Sequence, residues 1–109
     1  MRKTTLGVMS GAVIAAAISL AAPAQADPDS DFARELHTYG IYGQKDFNAW
    51  IGKIACKRLA RGVDVTAQDS ATFVSEQLLR GTSTEQAYQF LGAAMNYYCP
   101  DKRVLLTAQ

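Results

Sequence analysis

Histidine and cysteine are both scarce in this sequence, and their scarcity argues against whole classes of site. The 109 residues include one histidine, His37, and two cysteines, Cys56 and Cys99. Histidine is the most frequent general base in enzymes, and no G-x-S-x-G nucleophile motif accompanies His37. Structural zinc sites need clustered ligands, whereas the two cysteines are 43 positions apart. We therefore predict a protein that is not an enzyme, with no catalytic residues, no metal site and no cofactor.

The sequence also lacks an excess of charge and, after residue 26, a long apolar run. Its formal net charge of +1 becomes −1 for residues 27–109, because Arg2 and Lys3 carry two of the positive charges. A nearly neutral chain argues against general nucleic-acid binding, which needs a basic surplus to displace counterions. No stretch after residue 26 is long and apolar enough to span a bilayer, so we predict no transmembrane segment there.

The one long apolar run lies at the N-terminus. Arg2 and Lys3 precede it, residues 6–22 form it, and the small-x-small sequence Ala24-Gln25-Ala26 follows. This order is typical of a secretory signal peptide that is cleaved after Ala26. We predict a signal peptide over residues 1–26 and a single domain over residues 27–109. The predicted location is secreted or extracytoplasmic, with cell-wall association as a further option.

In an oxidising compartment the two cysteines are expected to form one intramolecular disulfide. Pairing Cys56 with Cys99 closes a long loop, for which chain entropy predicts a stabilisation of about 4 kcal/mol. A redox-active pair or an intermolecular bridge is the alternative, but the sequence has no C-x-x-C motif and no third cysteine.

Apolar periodicity and capping signals predict helices and no strands. The predicted helices span residues 30–39, 46–61, 66–80 and 83–99, with glycines or a proline at their ends. The tail from about residue 101 has no clear apolar face and is predicted to fray. The predicted fold is an all-α bundle of about four short helices closed by one disulfide.

The second predicted helix is apolar around most of its circumference and is therefore expected to be the central one. Arg58 is expected to bury its stem and leave its guanidinium free. Gly52 lies one turn before Cys56, where a missing side chain would let another backbone approach. The residues predicted to be largely buried on this helix are Trp50, Ile51, Ile54, Ala55 and Leu59.

Two specific motifs stand out in the sequence, Gly52-x3-Cys56-x2-Leu59-x2-Gly62 and Tyr98-Cys99-Pro100. With them, the pattern as a whole is similar to a small secreted mycobacterial family, domain of unknown function 732. The resemblance implies a compact helical domain with one disulfide and a secreted or envelope location. It implies no activity and no catalytic residues. Further matching positions are Asp31, Phe32, Leu36, Gly40, Ile41, Val74, Ala87 and Phe90.

We interpret the protein as a binding or interaction module for an unknown protein or envelope component, through one of two surfaces. Lys53, Lys57 and Arg61 line one strip of the second helix and could contact anionic lipid headgroups or an acidic partner. The alternatives are simple solvation, or pairing with Asp31 and Glu35 across the bundle. The second surface is an aromatic patch of Tyr39, Tyr42 and Phe73, which could equally close the end of the bundle.

A carrier of haem or of a small hydrophobic ligand is the alternative function. Tyrosine, methionine and histidine can all serve as axial haem ligands. Met95 and Tyr98, however, fall on the apolar stripe of the fourth helix, where core aromatics are far more common than cofactor ligands. The candidate axial ligands are His37, Tyr39, Tyr42, Met95, Tyr97 and Tyr98.

The signal-peptide interpretation predicts the N-terminus of the exported protein. Cleavage after Ala26 leaves Asp27 as the first residue, because the small-x-small site directly follows the apolar run. N-terminal sequencing or the intact mass of protein released by its own cells checks this. Exported protein that retains residues 1–26 would instead indicate an N-terminal membrane anchor.

Overall fold

Four α-helices and one 3₁₀ helix make up the computed structural model, which describes residues 27–107. The predicted signal peptide lies outside the described residues. No strand occurs in residues 27–107, and no helix in that range is both long and apolar enough to cross a membrane. The predicted all-α bundle is confirmed. The helices are α1 (Pro28–Thr38), α2 (Lys45–Ala60), α3 (Ala67–Gln77), α4 (Thr84–Tyr98) and the 3₁₀ helix (Pro100–Leu106).

Local side-chain hydrogen bonds set where the helices begin. The Thr66 and Ser83 hydroxyls accept from the third backbone N–H of α3 and α4, and the side chains at those positions complete capping boxes. Asp27 caps α1, which begins two residues earlier than predicted. Helix α3 ends at Gln77 rather than near residue 80, because Leu78 adopts an extended conformation with ψ of 171°.

Helix α4, and not α2, is the central helix of the bundle. It packs against α1, α2, α3 and the 3₁₀ helix, whereas α2 packs against the other three α-helices. Phe90, Leu91 and Met95 of α4 are fully buried. The surrounding core residues are Phe32, Leu36, Ile41, Ile51, Ala55, Leu59, Ala71 and Val74.

One side of α2 is open to solvent, which corrects part of the predicted burial. Ile51, Ala55 and Leu59 are buried as predicted, but Trp50 is 56 % exposed and Ile54 is only partly buried. Within residues 27–107, α2 packs against α1, α3 and α4, and none of these helices covers this side. The prediction that Trp50 is a core residue was therefore wrong.

The predicted disulfide between Cys56 and Cys99 is present, with a Cα–Cα distance of 5.9 Å. It joins α2 to the residue that follows α4. One turn earlier on α2, Gly52 is approached by the rings of Phe32 and Tyr98. The prediction of a close approach at Gly52 is correct, but side-chain rings make it rather than another backbone.

The C-terminal segment is more ordered than the predicted frayed tail. Leu105 and Leu106 of the 3₁₀ helix are partly buried against the core. These two leucines anchor the segment to the core. The sequence did not predict this contact, because two adjacent leucines do not form a periodic apolar face.

Replacing Gly52 with alanine tests the packing of the three helices. The new Cβ would lie 3.2 Å from Phe32 Cε2 and Cζ and from Tyr98 Cε2. Phe32 is fully buried and its ring contacts the rings of Phe90 and Tyr98, so it has little room to move. We expect Gly52→Ala to lower the free energy of unfolding by about 1–3 kcal/mol despite alanine's better helix propensity.

Urea denaturation of this variant and of Gly92→Ala makes the comparison. Gly92 is also helical, but a Cβ there would meet only Leu106 Cδ1, at 3.6 Å. The Gly92 variant should be neutral or more stable than the parent protein. Equal effects of the two substitutions would contradict the packing argument.

Candidate binding surfaces

Lys53, the first residue of the predicted basic stripe, is engaged within the fold. Its Nζ lies 3.2 Å from Asp29 Oδ2 and 5.4 Å from the centroid of the Tyr98 ring. The Tyr98 hydroxyl donates to Asp29 Oδ1 at 2.7 Å. The stripe is thus paired at one end, but with Asp29 rather than with Asp31 or Glu35.

This network keeps its charges at neutral pH. The hydrogen bond from Tyr98 holds the pKa of Asp29 below its usual value, with further lowering by Lys53. Burial raises the pKa of Tyr98, and its hydrogen bond to the Asp29 carboxylate raises it further. The network therefore consists of a carboxylate, an ammonium and a neutral phenol, so Lys53 is not free for a partner.

Lys57 and Arg61 differ from Lys53. Both are exposed, and neither has a carboxylate partner among residues 27–107. They lie on the open side of α2 together with three apolar residues that precede them in the sequence. The five positions follow the helical spacing i, i+3, i+7, i+10 and i+14, which places them on one side of the helix. We call this side the outer face of α2; it consists of Phe47, Trp50, Ile54, Lys57 and Arg61.

The predicted aromatic patch of Tyr39, Tyr42 and Phe73 is not brought together. Tyr39 is partly buried, and its hydroxyl donates to Glu35 Oε2 at 2.6 Å. Phe73 packs against the core beneath the guanidinium of Arg58, 4.3 Å from its Cζ to the ring centroid. Of the three, only Tyr42 is largely exposed.

Tyr42 instead borders a mostly apolar hollow of about 190 Å³ between the α1–α2 loop and the end of α3. Leu79 projects from the rim and is 75 % exposed, and Tyr42 is 62 % exposed. The large apolar residues of this hollow, which we call the end cleft, are Tyr42, Phe47, Leu78 and Leu79.

The end cleft was missed in the sequence because its members come from three segments. Phe47 belongs to the first turn of α2, Tyr42 to a loop, and Leu79 to the turn after α3. An adjoining hollow of about 310 Å³ shares Tyr42, Leu78 and Leu79 and adds Arg80. The one signal in the sequence was that Leu79 falls off the apolar stripe of the helix predicted over residues 66–80.

Arg58 forms a partly buried ion pair that sequence reasoning also missed. Its Nε and Nη2 donate to Asp64 Oδ2 and Oδ1 at 2.9 and 3.0 Å, and Ser70 Oγ donates to Asp64 Oδ2 at 3.2 Å. Asp64 is only 4 % exposed, and its hydrogen bonds raise the pKa of Arg58. The prediction of a free guanidinium was therefore wrong, because the guanidinium is bound to Asp64. This ion pair fixes the turn between α2 and α3.

The candidate haem ligands do not converge on one cavity in the described part of the chain. Met95 is fully buried, Tyr98 donates to Asp29, and Tyr39 and Tyr97 both hydrogen-bond to Glu35. The rings of His37 and Tyr42 contact each other, with centroids 5.1 Å apart. A further cleft of about 330 Å³ between α3 and α4 includes Tyr88 but none of these ligands. Residues 27–107 contain no group of three or more His, Cys, Asp or Glu side chains arranged for a metal ion.

Comparison with known proteins identifies the family. The sequence matches the family described as "Protein of unknown function (DUF732)" over residues 28–101, and the chain belongs to that family. It is 55 % identical over 102 residues to "Uncharacterized protein Rv0559c" of Mycobacterium tuberculosis, covering 93 % of this chain and 90 % of the relative. "Uncharacterized protein MT0585" of a second strain has the same identity and coverage. No solved structure matches.

The Asp29 network predicts a specific loss of stability in acid. Because the pKa of Asp29 is lower in the folded chain, its carboxylate stabilises the fold above its usual pKa of 3.8. That contribution is lost as the pH falls through the folded pKa. Asp29→Asn should cost about 1 kcal/mol at neutral pH. It should then lose less stability than the parent protein between about pH 5 and pH 2.

Urea denaturation across this pH range provides the measurement. Asp101→Asn is the control, since it removes the same charge from an exposed position on the 3₁₀ helix. Its profile should run parallel to that of the parent protein. A parallel profile for Asp29→Asn as well would show that the network contributes nothing to acid sensitivity.

Proposed function

We propose that this protein is a non-enzymatic binding module of the cell envelope or extracellular space, and that it contacts a partner protein through the end cleft. The observation that carries the proposal is the exposure of Tyr42, Phe47 and Leu79 around one apolar hollow. Single exposed apolar residues are ordinary, but several gathered around a concave site are typical of interaction surfaces. Large anchors seated in small pockets supply most of the binding energy in protein interfaces.

The size of the end cleft favours a side chain over a whole cofactor as its occupant. Its volume of about 190 Å³ is below the roughly 300–1,000 Å³ of small-molecule sites. One or two apolar side chains from a partner would fill it. Phe47 and Leu79 would then be covered from outside, as the central residues of an interface are.

The positions of the chemistry-bearing residues support a role without catalysis. His37, the one histidine of the sequence, is exposed on α1, and its imidazole has no carboxylate partner in the described residues. Asp29 and Asp64 are already engaged with Lys53 and Arg58. None of these groups is arranged as a nucleophile with its base.

Export is supported by the sequence before residue 27 and by the disulfide. Residues 1–26 have the basic, apolar and small-x-small order of a secretory signal peptide. Disulfides persist mainly in extracytoplasmic compartments, and Cys56 and Cys99 are paired. Both features agree with a protein that acts outside the cytoplasm.

The alternative, a carrier of haem or of a small hydrophobic ligand, has less support. The candidate axial ligands are dispersed, and the hollows described above are open to solvent. The two functions are readily distinguished, because a haem carrier develops a Soret band when haem is added to the purified protein. The proposed binding module would develop none.

Retention by isolated envelopes tests the end cleft. We expect labelled protein to bind envelopes of its own organism saturably, and unlabelled protein to compete. The variant Tyr42→Ser/Leu79→Ser should bind at least about tenfold more weakly, because it removes two apolar anchors from the cleft.

The matched control is Val65→Ser/Val104→Ser. Both valines are exposed, and neither lines the end cleft. This control should bind as the parent protein does, and circular dichroism should show that both double variants are folded. Equal binding of the end-cleft variant and the parent protein would overturn the proposed role of the cleft.

A further inference from the structure

We infer that the outer face of α2 binds an anionic lipid surface. This inference rests on the proposed extracytoplasmic binding role and adds a second contact surface with a partner of stated chemistry. The outer face combines an aromatic pair, one aliphatic residue and two cations on the open side of a single helix. Its five residues are Phe47, Trp50, Ile54, Lys57 and Arg61.

This face is a single row of side chains along the open side of α2. Its residues span four turns of α2, or about 20 Å at 1.5 Å per residue. The rings of Phe47 and Trp50 contact each other, with centroids 6.0 Å apart. Trp50, Ile54, Lys57 and Arg61 line none of the three hollows described above. Beyond Phe47, which borders the end cleft, the row has no groove, and it therefore fits a flat surface better than it fits a peptide.

The charges of the described part of the chain leave two cations available on this face. Lys53 pairs with Asp29, Arg58 with Asp64, Lys45 with Asp27 and Asp46, and Arg34 with Asp31. Lys57 and Arg61 have no such partner among residues 27–107. The side of α2 that carries the exposed aromatic rings is thus also the side with uncompensated positive charge.

The combination favours lipid over an acidic protein. Tryptophan and other amphipathic rings settle at the headgroup level of a bilayer, while basic residues on the same helix contact the phosphates. An acidic protein surface would use Lys57 and Arg61 but would give Trp50 and Ile54 no apolar phase to enter. With only two cations and a short apolar stretch, binding is expected to be weak, reversible and reduced by salt.

Trp50 provides the readout, because it is the one tryptophan of the chain. Purified protein, with its N-terminus defined by mass spectrometry, is mixed with vesicles of phosphatidylglycerol and phosphatidylcholine or of phosphatidylcholine alone. We expect the fluorescence of Trp50 to shift to shorter wavelength on the anionic vesicles only. Co-sedimentation should show the same selectivity, and binding should fall as salt is raised.

The charge-reversal variant Lys57→Glu/Arg61→Glu should bind anionic vesicles at least about twentyfold more weakly, at about fivefold for each basic residue. The matched control Lys102→Glu/Arg103→Glu makes the same change in net charge on the 3₁₀ helix and should bind like the parent protein. Trp50→Ala, measured by co-sedimentation, should weaken binding about tenfold. Circular dichroism confirms that each variant is folded.

Three outcomes would overturn the inference. These are equal binding to neutral vesicles, unchanged binding by the Lys57/Arg61 variant, or a response to soluble polyglutamate without binding to vesicles. The third outcome would indicate an acidic protein partner. An absence of binding to vesicles would not affect the proposed role of the end cleft, because that role is tested with isolated envelopes and with substitutions at Tyr42 and Leu79. Loss of envelope binding with the end-cleft variant, while vesicle binding is retained, would show that the surfaces act separately.

Discussion

The contact of Phe32 and Tyr98 with Gly52 holds together the three helices on which the rest of the bundle depends. The Phe32 ring of α1 lies edge-on to Phe90 and Tyr98 of α4, at centroid distances of 5.2 and 5.3 Å. Both Phe32 and Tyr98 reach α2 at Gly52, where a side chain would have blocked them. The disulfide lies one turn further along α2 and one residue beyond Tyr98. Packing and covalent bond therefore fix the same helix crossing.

The rotation of α2 about its own axis follows from this crossing. Once Gly52 and Cys56 face inward, the residues on the opposite side of α2 must face solvent, whatever their polarity. Ion pairs on both flanks reinforce the same orientation. Lys53 joins α2 to Asp29 of α1, and Arg58 joins it to the buried Asp64 before α3. The exposure of Trp50 is thus imposed by the core and does not result from loose packing.

Local signals in the sequence were enough to predict the helices and the disulfide, but not which faces are covered. Capping at Thr66 and Ser83 depends on neighbours three residues away, and the prediction there was accurate. The burial of Trp50 could not be predicted in the same way, because a helix's apolar circumference does not reveal how many helices surround it. The prediction placed α2 at the centre, whereas α4 occupies that position.

In the candidate sites, too, the features that depend on local sequence were predicted and those that depend on tertiary contacts were not. The basic stripe was correctly located on α2, but its division into a paired Lys53 and the unpaired Lys57 and Arg61 depends on where α1 places Asp29. The end cleft forms where two loops meet, and the apolar periodicity of the sequence does not predict contacts between loops. Arg58 and Asp64 are six positions apart across a turn, so their pairing needed the conformation of that turn.

A bundle of this size can bury only part of its apolar surface, and the position of the unburied part carries the functional argument. The disulfide limits the unfolded chain, with a typical contribution of about 2–4 kcal/mol, so the fold does not need every large apolar residue in its core. If these residues were exposed only because the core is small, they would be distributed at random over the surface. Here Tyr42, Phe47 and Leu79 gather around one hollow and Phe47 continues into the row that holds Trp50, while the exposed Val63, Val65 and Val104 lie outside both surfaces. The carboxylates Asp29 and Asp31 of α1 are instead already paired with Lys53 and Arg34. Exposed apolar residues thus lie around a hollow at the end cleft and beside two unpaired cations on the outer face of α2, an arrangement that fits the proposed binding role and that folding alone does not require.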